Sequence, residues 1–126
     1  NMKTTQDILK QLDNFYCKEK DGYVEVSLPV ALWMNWNCVV LRIKPTPNGY
    51  IITDTGDNFK EFNNNASFYY DRFLKNCKYT YDIKLDGETL YKKYAFNTSV
   101  IVGIDEFVRF LIRLDDYILD SNLRAM

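Results

Sequence analysis

Apolar residues recur at helical spacing through the last quarter of this chain. Val100, Ile104, Phe107, Val108, Leu111, Leu114 and Ile118 share one face from about Thr98 to Asp120, with Asp105, Glu106 and Arg109 on the other. A helix this long and one-sided needs a broad apolar surface to lie on. The middle of the chain offers one. Val24, Val26 and Leu28 alternate with Glu25 and Ser27, the two-residue period of a strand with one wet face, and Pro29 is expected to end it.

Cys38–Lys44 and Tyr50–Thr53 read as two more strands, joined by Pro45-Thr46-Pro47-Asn48-Gly49, a hairpin turn with fixed φ at proline and positive φ at Asn-Gly. Phe59 and Phe62 mark a short helix, broken by Asn63-Asn64-Asn65, and Phe68 to Cys77 carries a second helical stripe. A second hairpin runs from Tyr79–Lys84 through Asp86-Gly87 into Thr89–Tyr91. At the start, Ile8, Leu9, Leu12, Phe15 and Tyr16 predict a helix from about Thr5 to Tyr16, followed by a polar turn over Lys18–Gly22. The expected fold is α+β in the order α-β-β-β-α-α-β-β-α: two antiparallel hairpins plus a strand, packed against N- and C-terminal helices. At 126 residues a single domain, residues 2–126, is expected, with Met2 as the native start.

Composition narrows the chemistry. The chain has no histidine, which removes Ser-His and Cys-His nucleophile pairs and histidine acid–base work. No cofactor is expected. The three cysteines, Cys17, Cys38 and Cys77, are far apart and odd in number, so reduced and mostly buried thiols are expected, without a disulfide. With no apolar run of membrane-spanning length and no signal-peptide core, the reading is a cytoplasmic protein that does not enter membranes. A net charge of −1 gives no overall pull toward nucleic acid.

Tyr50-Ile51-Ile52-Thr53-Asp54-Thr55-Gly56-Asp57-Asn58 carries the most local information. An apolar strand ends in two carboxylates around a glycine, before a helix. Every residue of it has a structural use. Asp54 can accept backbone amides in an Asx turn, Gly56 can take positive φ, and Asn58 with Glu61 matches a capping box. That use leaves no metal site to expect. The chemical alternative is a Mg²⁺-dependent nuclease of the PD-(D/E)xK type, with Asp54 and Asp82 holding the ion and Lys84 beside the attacking water.

From about Val24 to Ile118 the chain resembles a family of small bacterial and phage proteins known as domain of unknown function 1828. The resemblance lies in Ser27-Leu28-Pro29 closing the first strand, the hairpin leading into Ile52-Thr53-Asp54-Thr55-Gly56, the helix with Phe59 and Phe62, and the final hairpin and long helix. It implies an association with prophages and other mobile elements, and no particular chemistry.

Two surface features bear on binding. Leu32-Trp33-Met34-Asn35-Trp36 sets two indoles between strands, so Trp33, Met34 and Trp36 are candidate anchors for a protein partner. The same patch could support a two-fold homodimer. Arg42 and Lys44 alternate on one strand, with Lys84, Lys92 and Lys93 on the later hairpin. Edge-strand lysines usually guard against sheet-to-sheet pairing. Side-by-side hairpins would instead make a basic strip able to meet phosphates. Taken together, the expectation is a small non-enzymatic protein of a phage or mobile element that binds another protein, such as a host-defence or replication component. Nucleic acid is the less favoured partner.

Overall fold

The computed structural model describes residues 4–32, 38–56 and 81–125. A six-stranded antiparallel sheet forms the body. In chain order the strands are β1 (Tyr16–Lys20), β2 (Tyr23–Ala31), β3 (Cys38–Thr46), β4 (Gly49–Thr53), β5 (Lys84–Asp86) and β6 (Thr89–Ala95). Their order across the sheet is β1-β2-β3-β4-β6-β5. Helices α1 (Thr5–Lys10) and α2 (Val100–Ala125) complete the α+β architecture.

Alternation decides which face is buried. Val24, Val26 and Leu28 of β2, Val39, Leu41 and Ile43 of β3, Tyr50 and Ile52 of β4, and Leu90 and Tyr94 of β6 all point into one core. Ile104, Phe107, Phe110, Leu111 and Leu114 of α2 meet them there, with Ile8 of α1 at the other end. The long apolar stripe thus finds the surface it needed. Gln11, just past α1, accepts a hydrogen bond from the Val100 amide at 2.9 Å, so the first helix caps the start of the last.

Three local readings are corrected. The first helix stops at Lys10 and Tyr16–Lys20 is a strand. Asp21-Gly22 makes the two-residue turn of a hairpin, with Gly22 at φ 83° and Lys20 paired with Tyr23. Pro29 does not end β2 but sits where the β2–β3 register shifts, between Ser27 and Ala31. Residues Tyr81–Ile83 lie outside the second hairpin, whose first strand is only Lys84–Asp86. The helices expected around Phe59, Phe62 and Phe68–Cys77 lie outside the described residues, as do Trp33, Met34, Trp36 and the Asn58–Glu61 capping box.

Candidate functional site

Asp54 follows β4 directly and is 1% exposed. Its Oδ1 accepts from the Gly56 amide at 3.0 Å, closing the Asx turn, and from the Leu90 amide of β6 at 2.9 Å. Its own amide donates to the Leu90 carbonyl at 3.1 Å. The side chain therefore replaces a strand residue in the ladder and lets the chain leave the sheet without orphaning a buried donor. Gly56, at φ 88°, takes the left-handed conformation the turn requires.

Of the residues of the nuclease reading, Lys84 and Asp54 are on opposite faces of the sheet. Lys84 pairs with Tyr91, and Tyr91 with Thr53, so all three side chains lie on the face opposite Asp54. The sheet itself separates the lysine from the buried carboxylate. Asp82 is exposed at φ 51°, the only non-glycine with positive φ among the described residues. No group of three or more acidic or cysteine side chains is placed to hold a metal ion among the described residues.

A second polar cluster lies under α2. The Tyr94 hydroxyl donates to Glu106 at 2.9 Å, and Lys92 is hydrogen-bonded and ion-paired with the same carboxylate and donates to the Tyr81 carbonyl. Tyr50 stacks on Tyr94 with ring centroids 5.1 Å apart, and its hydroxyl donates toward the Thr98 and Ser99 carbonyls at 2.9 Å. Burial pushes both phenols well above the ordinary tyrosine range; for Tyr94 the hydrogen bond to Glu106 and the charges around it add to this. Both hydroxyls are thus neutral donors that fasten α2 to the sheet. Lys92 belongs here, on the inner face, and not to the basic strip.

The outer face of the sheet is the one turned away from the core. Neither α1 nor α2 covers it. Strand alternation sets Lys18 and Lys20 of β1, Arg42 and Lys44 of β3, Lys84 of β5 and Lys93 of β6 on this face, against the carboxylates Glu25 and Asp86. Tyr16, Tyr23 and Tyr91 stand among the cations. Arg42 lies over the Tyr23 ring, 5.6 Å from its centroid, and Lys18 over Tyr16 at 5.9 Å. Because β4 pairs with β6, the two hairpins do sit side by side, and the strip expected on that condition exists. Beside it, Ile51, Thr53, Asp86, Thr89, Tyr91 and Lys93 line an open depression of about 400 Å³. The tyrosines of this surface were missed in the sequence, although the two-residue period of β2 and β6 places Tyr23 and Tyr91 with the basic residues.

Cys17 is half-buried, where burial pushes its thiol up, and Cys38 is exposed, against the expectation of buried thiols. Both are free, and Cys77 lies outside the described residues. No helix among the described residues is long and apolar enough to cross a membrane. No family model matches the chain, and neither the curated proteins nor the solved structures give a match.

Proposed function

We propose that this protein acts by binding other proteins and not by chemistry of its own. The observation that carries this reading is the outward ridge of α2. Ile101, Val102 and Ile112 are 48%, 57% and 40% exposed, and between them Asp105 and Arg109 form an i,i+4 ion pair at 2.9 Å. Read from either end, the ridge runs apolar, charged, charged, apolar. Two such helices laid antiparallel about an axis near position 107 would set Asp105 against Arg109 of the second copy, and Val102 against its Ile112, each contact made twice. The ridge thus fits a second copy of this chain. The phage or mobile-element setting, and a host-defence or replication protein as the class of target, rest on the resemblance to domain of unknown function 1828. Trp33, Met34 and Trp36 remain the expected anchors for that target.

Sedimentation velocity over a hundredfold concentration range tests the ridge. The expected result is a rise from monomer to dimer mass for the wild type. Val102→Glu/Ile112→Glu, altering only exposed positions, should stay monomeric with an unchanged melting temperature. A wild type that is monomeric throughout, or a double variant that dimerises equally well, rejects the ridge as a contact surface.

A further inference from the structure

We propose that the outer face of the sheet binds single-stranded nucleic acid, with one nucleotide seated in the depression over Tyr91 and neighbouring phosphates held by Arg42, Lys44 and Lys93. This surface is separate from the α2 ridge, so either proposal can fail alone.

Charge comes first. Among the described residues, six cations on this face meet two carboxylates, and none of the six is in an ion pair. The chain as a whole carries −1, so its remaining surface is net acidic. At physiological salt a charge is felt over roughly 8 Å, so a strand lying on the sheet senses the face beneath it and little of the acidic remainder. The cations also have a useful spacing. Arg42 and Lys44 stand two residues apart on β3. Lys44 pairs with Ile51, and Ile51 with Lys93, which puts Lys93 two strand spacings from Lys44, about 10 Å. A chain of phosphates could follow that row across the sheet.

The aromatic rings choose the kind of anion. Tyr91 lies in the depression beside Lys93, with Thr53 and Thr89 hydroxyls and the Asp86 carboxylate around it. A ring beside a lysine offers a stacking surface for a base and a cation for its phosphate, while hydroxyls and a carboxylate can meet base or sugar donors. Stacking of this sort requires an unpaired base. The face is also a sheet surface with no described helix or ribbon rising from it to enter a groove, so a duplex fits it poorly. A protein partner fits less well too, because protein interfaces deplete charge at their centre, and here Arg42 and Lys44 run through the middle of the face.

The test is fluorescence anisotropy with a labelled twenty-nucleotide oligothymidylate, using the full chain. The wild type should bind at low salt. The logarithm of affinity should fall with that of salt at a slope of about −2, as for roughly three phosphates on a single strand. Arg42→Glu/Lys44→Glu/Lys93→Glu should weaken binding by at least thirtyfold. Should that variant melt early, the separate Arg42→Glu and Lys93→Glu changes, both at exposed positions, should each still cost several-fold. Tyr91→Leu should weaken binding about fivefold or more with the salt slope unchanged. Lys10→Glu on α1 should have no effect. The proposal is overturned if folded wild type does not bind the oligonucleotide at low salt, or binds a duplex as tightly. It is equally overturned if polyglutamate competes as well as the oligonucleotide, which would make an acidic protein the occupant.

Discussion

Asp54 shows how one side chain can look catalytic and be structural. A carboxylate at a strand end two residues before a glycine suits a metal site, but this one is buried and its Oδ1 accepts two backbone amides, that of Gly56 in its own turn and that of Leu90 in β6. Truncation to alanine leaves both donors without that acceptor, and Asp54→Ala should cost about 1–3 kcal/mol, the usual penalty for orphaned buried donors. Asp54→Asn keeps an oxygen in the same place and should cost clearly less. Urea unfolding of the pair checks this; equal losses would mean that charge, not hydrogen bonding, gives Asp54 its role. This much was legible in the sequence, because Asp-x-Gly after an apolar strand is a turn signal of known mechanism. The bond to the Leu90 amide was not legible, since it spans 36 positions and depends on β6 pairing with β4.

Among the elements, those with a long or clean period were readable and those resting on short polar runs were not. The stripe of α2 from Val100 to Leu114 and the strands β2, β3 and β4 stand where the pattern put them, but Glu106, expected on the far side of α2, turns in to Tyr94 and Lys92. β1 was hidden because Leu12, Phe15 and Tyr16 extend the helical spacing past Lys10, while its strand character lies in Lys18-Glu19-Lys20, residues of weak strand preference. What holds it is pairing with β2 and the contacts of Glu19 with Thr5 and Gln6 of α1, each at 2.8 Å. Gly103 makes the same point within α2. Glycine weakens a helix interior by roughly 1 kcal/mol relative to alanine, yet a Cβ there would stand 2.6 Å from the Tyr50 hydroxyl, itself held by two carbonyls. Packing outweighs propensity. Gly103→Ala should therefore destabilise the protein, by about 1–3 kcal/mol as for other overpacked cores, and its melting temperature should fall. A rise would show that Tyr50 can move aside.

At the scale of the whole molecule, the two faces of the sheet have divided the sequence between them. Inward positions carry the core, Asp54 and the Tyr50–Tyr94–Glu106–Lys92 cluster; outward positions carry the cations with Tyr16, Tyr23 and Tyr91. That division explains why Asp54 and the candidate lysine Lys84 never meet, although they lie 30 positions apart. Strand parity decides it, and parity at Lys84 could be known only once the register with Tyr91 was fixed. The proposal of binding without chemistry can be tested in one gel. A labelled single strand incubated with the full chain and Mg²⁺, then run under native and denaturing conditions, should be retarded in the first and full-length in the second, with Asp54→Asn behaving as the wild type does. A strand cut only when Mg²⁺ is present, and left whole by Asp54→Asn, would contradict the account.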